Sequence, residues 1–205
     1  MAGSQSRAQP TRLYLLAYNT TCAIIWARIL FTTITTLISS DVPSVYALEP
    51  WTRFAQTLAV AEILHAATGI VRSPVFTTFT QVFARSVQVW AINYAFPDVT
   101  KPSVAYPAML LAWATADTIR YSYFAIMLAD WPIPRALKWA RYSLFIILYP
   151  VGISSEWWLM YNATNVAEHW AVTSIFYFFL GLYVPGSVMM YSYMLKQRRK
   201  VMALQ

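Results

Sequence analysis

Long apolar runs, broken by short polar or proline-bearing stretches, set the pattern of this chain. Six runs stand out, at roughly 13–38, 51–72, 75–96, 104–129, 139–161 and 168–194. A helix that crosses hydrocarbon needs about 20 mainly apolar residues, and each run supplies them. The breaks read "SSDVPS", "RSP", "FPDVTKPS", "ADWPIPR" and "YNATNVAEH", all of them turn or helix-breaking chemistry. The pattern predicts an all-α integral membrane bundle of six transmembrane helices. The first run is too long for the core of a secretory leader and no small-residue cleavage site follows it, so it reads as a span.

Composition agrees with the pattern. Hydrophobic residues make up 59% of the chain and charged ones 11%, against about 25% charged in a soluble domain. There are too few polar groups to coat a water-facing surface. The 14 Tyr and 9 Trp suit the boundary between lipid and water. With 205 residues the chain forms one domain, 1–205, without a separate soluble module, and 1–12 and 196–205 are short tails. The lone Cys22 excludes an intrachain disulfide.

Charge adds an orientation. Arg7 and Arg12, then Arg72, then Arg135, Lys138 and Arg141, then Lys196, Arg198, Arg199 and Lys200 fall on alternate breaks. The intervening breaks carry Arg53 beside Asp41 and Glu49, then Lys101 beside Asp98, then no basic residue. Basic residues gather on the cytosolic side, so both termini are expected in the cytosol. The net charge of +7 is thereby a topology signal rather than a nucleic-acid patch. The same cations can attract an anionic ligand at the cytosolic face.

Several ionisable residues fall at depth inside the runs: Arg28, Glu62 and His65, Arg85, Asp117 and Arg120, and Glu156. A charge at a helix centre costs about 2.5–3.5 kcal/mol on insertion scales, so such residues mark partners or function. Three acids can balance three arginines, with Asp117 and Arg120 (i, i+3) suited to a structural pair. Taken together they suggest a polar pocket near the midplane. Two motifs are decoys. Cys22 and Arg28 have a phosphatase-like C-x5-R spacing, but the intervening "AIIWA" has no glycine to cradle phosphate. Glu62-x-x-His65 is half of a di-iron ligand set, in a chain with only 2 His. No nucleotide fingerprint or nucleophile elbow is present. The sequons at Asn19 and Asn162 lie inside or against the membrane.

Tyr149 and Glu156, within "LFIILYPVGISSEWWLMY", carry the chemistry. Seven residues are about two helical turns, so the two project from roughly the same face about 10.5 Å apart. Pro150 and Gly152 between them are expected to bend or unwind that turn. A carboxyl in an apolar setting near arginines can exchange a proton, and a phenol can donate or accept a hydrogen bond. Such a pair, acting without metal or cofactor, suits loss of water from a β-hydroxy thioester with a lipid tail. Either group can serve as base or as acid. The structural alternative is a packing tyrosine at Tyr149 and an ion pair between Glu156 and Arg85.

Four stretches carry a resemblance: "AEILHAATGIVRSPVFTTFTQVFARSVQVW", "WATADTIRYSYF", "RYSLFIILYPVGISSE" and "LYVPGSVMMYSYMLKQRRKV". Over about Tyr14 to Val201 the chain resembles the very-long-chain (3R)-3-hydroxyacyl-CoA dehydratases, also called protein tyrosine phosphatase-like proteins. The resemblance implies a six-span, multi-pass protein of the endoplasmic reticulum membrane. Its activity would turn a long-chain (3R)-3-hydroxyacyl-CoA into the trans-2-enoyl-CoA, the third step of fatty-acid elongation. In the family the tyrosine of the L-Y-P-x-G motif and the following glutamate are catalytic, and these positions are Tyr149 and Glu156. The partners implied are the elongase condensing enzyme and the ketoacyl and enoyl reductases. Arg85, Arg120, His65, Glu62, Asp117 and Arg141 are expected around the substrate. Arg85 or Arg120 would steady the thioester oxygen, and His65 would orient Glu62 or an arginine. The chain departs from the family at Asp117, where the motif has glutamate, and in a short "YNATNVAEH" connection. Its "RRKVMALQ" end carries no lysine retrieval pattern.

Two other classes compete. A small lipid or ion transporter would have matched broken helices in two halves, whereas here one span carries a Pro-Gly break at mid-depth. A non-catalytic scaffold of the same fold has no reason to keep a costly acid at Glu156.

Overall fold

The computed structural model describes residues 2–39 and 41–203. Met1, Ser40, Leu204 and Gln205, and the side chains of residues 2–8 (Arg7 among them) and of Met202, lie outside the described residues. Among the described residues the chain is helical and contains no strand. Helix α1 (Ala2–Ser39) is followed by a 3-10 turn (Val42–Leu48), α2 (Glu49–Leu58) and α3 (Val60–Ala67). Helix α4 (Val75–Val87) continues as a π-helical segment (Gln88–Tyr94), and one turn, α5 (Pro97–Thr100), leads into α6 (Ala105–Leu128). Helices α7 (Arg135–Ser143), α8 (Phe145–Val166) and α9 (Trp170–Met202) complete the chain.

Helix α6 is the centre. Its largest interface is with α1 and its second with α8. Met109, Leu110, Trp113, Ala114, Asp117 and Tyr121 are all buried along it. Helix α1 meets it through a stripe at helical spacing, Cys22, Trp26, Ile29 and Thr33, while Ile24, Phe31 and Ile38 point outward. A second outward apolar face runs along α9 through Phe178, Leu182, Val184 and Val188.

Helix ends follow local chemistry. Helix α6 stops where Asp130 adopts φ 57°. The Trp131 N–H then returns to the Ile126 carbonyl at 3.2 Å and the Asp130 N–H to Met127 at 3.3 Å. This closes the last carbonyls in the Schellman manner. Aspartate tolerates the left-handed conformation better than most residues. Gly69, at φ 72°, ends α3 in the same region of backbone space. In the first break the Ser44 hydroxyl donates to Asp41 and holds that carboxyl below its ordinary range. His169 caps α9, its Nδ1 accepting from the Ala171 N–H at 3.2 Å.

Polar contacts gather at two ends of the bundle. At one, Arg12 pairs with Asp130, Tyr14 meets His65, and Arg198 Nε donates to the Ser143 hydroxyl. At the other, the Tyr46 hydroxyl donates to the Asn93 carbonyl and Arg53 lies over Tyr94.

Two helices are long and apolar enough to cross a membrane, Gln9–Ser39 within α1 and Trp170–Val201 within α9. Helices α7 and α8 make a third span if the bent pair is counted as one. The expected second run divides at Ala59 into α2 and α3, and the third changes from α to π geometry at Gln88. Helix α6 has 24 residues but mixes Asp117, Arg120 and three tyrosines into its apolar sequence, because it faces protein rather than lipid on most sides. The unwinding expected at Pro150–Gly152 is absent. Helix α8 runs as one helix through Pro150, and ahead of it the axis turns by 42° at Leu144. Helix α9 holds a second Pro-Gly pair, Pro185–Gly186, also without a break, so α8 is not alone in carrying one.

Candidate active site

Three helices contribute a chain of ion pairs. Arg120 of α6 closes on Glu62 of α3 with Nη1 to Oε2 at 2.8 Å and Nη2 to Oε1 at 3.1 Å. Its remaining nitrogen, Nε, donates to Asp117 Oδ1 at 3.2 Å. Arg85 of α4 donates to the other oxygen of Asp117 at 2.6 Å. The Tyr121 hydroxyl also donates to Glu62. Two acids and two arginines thus neutralise one another, which charges taken out of water require. The (i, i+3) pair of Asp117 and Arg120 is formed, and Asp117 in addition bridges α6 to α4.

Beyond Arg85 the network changes character. The guanidinium of Arg85 lies 4.0 Å from the centre of the Trp113 ring and 5.4 Å from that of Trp26. The indole N–H of Trp113 then donates to Glu156 Oε1 at 2.7 Å. On the far side the Tyr183 hydroxyl donates to Glu156 Oε2 at 2.9 Å. Three carboxylates are buried among the described residues, Glu49, Asp117 and Glu156. Glu49 has Arg53 and Asp117 has two arginines, but Glu156 has no ion pair among the described residues. Arg85 therefore belongs to Asp117, not to Glu156, and Arg28 does not complete a third pair. It is exposed on α1 with its guanidinium 4.1 Å from the centre of the Trp51 ring.

Tyr149 is the fifth residue of α8 and Glu156 the twelfth. The Tyr149 hydroxyl points to the Ser187 carbonyl at 3.5 Å, and its ring stacks on Tyr191 with centroids 5.9 Å apart. Gly152, one turn before Glu156, lies against α6. A Cβ there would stand 3.7 Å from Ala112 and Trp113 and 3.8 Å from Glu156 Oε1. No direct hydrogen bond joins Tyr149 to Glu156 among the described residues; both are held by α9.

The other expected residues disperse. His65 is buried and shares a hydrogen bond of 2.8 Å with the Tyr14 hydroxyl, so it orients neither Glu62 nor an arginine. Arg141 lies among the rings of Phe124, Tyr123 and Tyr142, and its Nε has no partner. Cys22 is buried and Arg28 exposed on one continuous helix, so their spacing forms no phosphate cradle. Among the described residues no group of three or more His, Cys, Asp or Glu gathers as metal ligands. Asn162 and Thr164 of the second sequon lie inside α8, Thr164 buried. A cleft of about 300 Å³ at the far end of α8, lined by Asp98, Ser103, Trp158 and Asn162 among others, includes none of the candidate residues.

Trp113 and Tyr183 escaped the reading of the sequence, because a Trp or Tyr in an apolar run looks like packing. Their signal was periodic. Tyr183, Ser187 and Tyr191 recur at i, i+4 and i+8 on α9, the face of an antiparallel neighbour that meets Glu156 and Tyr149.

The protein-family profile described as "Protein tyrosine phosphatase-like protein, PTPLA" matches residues 56–204. The very-long-chain (3R)-3-hydroxyacyl-CoA dehydratase PASTICCINO 2A of Oryza sativa subsp. japonica is 39% identical over 99% of this chain and 98% of its own. PASTICCINO 2 of Arabidopsis thaliana is 38% identical over 94% of each chain. The very-long-chain (3R)-3-hydroxyacyl-CoA dehydratase 2 of Homo sapiens is 36% identical over 77% of this chain and 67% of its own. No solved structure matches.

Proposed function

The chain belongs to the protein tyrosine phosphatase-like family, and from that premise we propose that it dehydrates very-long-chain (3R)-3-hydroxyacyl-CoA to the trans-2-enoyl-CoA, with Glu156 and Tyr149 as the acid–base pair. It is a hydro-lyase of fatty-acid elongation. The observation that carries the assignment is that Glu156 is buried without an ion pair among the described residues. Asp117 is clamped by two arginines, whereas Arg85 stands off from Glu156 across the Trp113 ring, so the proton exchange of Glu156 is not committed to an ion pair. Both hydrogen bonds it receives come from donors, and Trp113 can do nothing but donate. That favours an acceptor, and hence a base.

Glu156 takes the proton from C2 of the thioester. The electron pair left on C2 forms the C2=C3 double bond as the C3–O bond breaks. The departing hydroxyl takes the phenol proton of Tyr149 and leaves as water. As product and water leave, Glu156 gives its proton to solvent and the Tyr149 phenolate takes one from solvent, which closes the cycle without a direct transfer between them. Charge builds on the thioester oxygen meanwhile, where a fixed donor is most useful. Arg120 has all three of its nitrogens engaged, whereas Arg85 keeps a buried Nε without a partner among the described residues. Arg85 is thus the arginine suited to that oxygen. Arg72, Lys138, Arg141, Arg198 and Arg199 would meet the phosphates of the CoA.

The same reading places six spans in the endoplasmic reticulum membrane with both termini in the cytosol. It also places the elongase condensing enzyme and the two reductases beside the protein. The contacts of Arg12 with Asp130 and of Arg198 with Ser143 support a common side for the two tails, since they gather basic breaks at one end. The test is purified protein with a long-chain 3-hydroxyacyl-CoA, following formation of the enoyl thioester. Tyr149→Phe and Glu156→Gln should each lower the rate by at least about 100-fold. Folded variants that run at the parent rate would remove the assignment.

A further inference from the structure

We infer that Tyr183 is a positioning residue for the reaction, fixing the carboxylate of Glu156 from α9 while Trp113 fixes it from α6. The inference rests on the acid–base reading of Glu156 and adds a residue which that reading does not use.

The geometry is specific. The last torsion of a glutamate is broad and roughly two-fold, so packing alone leaves a carboxylate free to swing about its axis. Here each oxygen has its own donor, Trp113 Nε1 on Oε1 at 2.7 Å and Tyr183 Oη on Oε2 at 2.9 Å, from helices on either side of α8. Two donors at the two ends of the group set the plane of the carboxylate. An ionised carboxylate has about four acceptor sites, so these bonds leave free sites to receive the C2 proton. A rigid base already aimed at the reacting carbon avoids the loss of rate that a small misplacement brings.

Trp113 is itself held. Arg85 lies over its face at 4.0 Å and is tied to Asp117 at 2.6 Å, so the ion-pair chain of α3, α4 and α6 ends on the indole that steadies Glu156. On α9 the same stripe continues past Tyr183. The Ser187 carbonyl lies 3.5 Å from the Tyr149 hydroxyl, and Tyr191 stacks beneath that ring. One face of one helix therefore fixes both members of the proposed pair. Tyr183 needs no contact with the substrate to do this.

The experiment compares full-length purified Tyr183→Phe and Trp113→Phe with the parent, measuring kcat, KM and thermal unfolding. Each variant keeps an aromatic ring and removes one donor; Trp113→Phe keeps a ring beneath Arg85. A hydrogen bond to a charged group is worth about 1.5–3 kcal/mol, which sets the expected fall in kcat at about 10- to 100-fold. KM should stay within about twofold and the unfolding midpoint should hold, since substrate contacts and packing are kept. A rise in KM at constant kcat, or a kcat equal to the parent's, overturns the inference. Should either variant fail to fold, 3-fluorotyrosine at position 183 keeps the ring and hydroxyl while altering donor strength, and a kcat that ignores it also overturns the inference. Glu156→Gln run alongside separates the two ideas. If that variant stays active, the reading of Glu156 falls; if it is inactive while Tyr183→Phe is normal, only the role of Tyr183 falls.

Discussion

Arg120 grips Glu62 with two parallel N–H···O contacts, 2.8 and 3.1 Å long, and so fastens α6 to α3 across the interior. A forked guanidinium matches a carboxylate in a way that a lysine cannot.

Removing one partner leaves the other charge without compensation. Glu62→Ala should therefore destabilise the protein by about 3 kcal/mol, the low end for a broken buried pair, because both side chains keep some exposure. The midpoint of denaturant unfolding in detergent measures it. Arg120→Lys should recover only part of the loss. A Glu62→Ala variant as stable as the parent would show that the pair holds nothing together.

Gly152 tests how closely α8 lies on α6. A methyl group there meets Ala112 and Trp113 at 3.7 Å, which is ordinary contact. Gly152→Ala should fold with unchanged or slightly higher stability, since alanine is favoured over glycine in a helix by about 1 kcal/mol. Gly152→Leu should separate the helices and lower the unfolding midpoint, with an overpacking cost of about 1–3 kcal/mol.

His65 should prove dispensable for the reaction. Its hydrogen bond goes to Tyr14, and it touches neither Glu62 nor an arginine among the described residues. His65→Ala is expected to lose about 1 kcal/mol of stability and to keep kcat and KM near the parent values. A collapse of kcat in a folded His65→Ala protein would contradict this.

Orientation can be read with single cysteines, because the one native thiol, Cys22, is buried. In sealed microsomes an impermeant maleimide should label Arg135→Cys and leave Asp98→Cys untouched until the membrane is opened; both positions are exposed. The reverse pattern would invert the bundle.

The residues of the ion-pair chain were legible because a charge inside an apolar run stands out, so Glu62, Arg85, Asp117 and Arg120 could be picked from the chain alone. The local pair of Asp117 and Arg120 was legible from its spacing, but the pairings between helices were not, since which arginine meets which acid depends on the rotation of each helix about its axis. Arg28 shows the difference. Depth along the chain grouped it with the others, but the buried stripe of α1 runs through Cys22, Trp26, Ile29 and Thr33 and leaves Arg28 outside. The break at Ala59 has no glycine or proline to announce it, and the π geometry after Gln88 has no signature in the residues. Pro150 and Gly152 announced an unwound turn, but the helix continues through both. The partners of Glu156 were hidden for another reason: tryptophan and tyrosine serve packing and hydrogen bonding with the same ring.

The turn of the axis at Leu144 fixes where depth begins to be counted. From the start of α8 the phenol is about 6 Å along the axis, and the carboxyl about 10.5 Å beyond it. Arg135 and Lys138 lie before that corner, on a ledge set at an angle to the shaft. A visitor with a heavy, highly charged nucleotide at one end could rest that end on the ledge, still in water. Its slender arm would then have little more than one helical turn to descend before the first of the two groups came within reach.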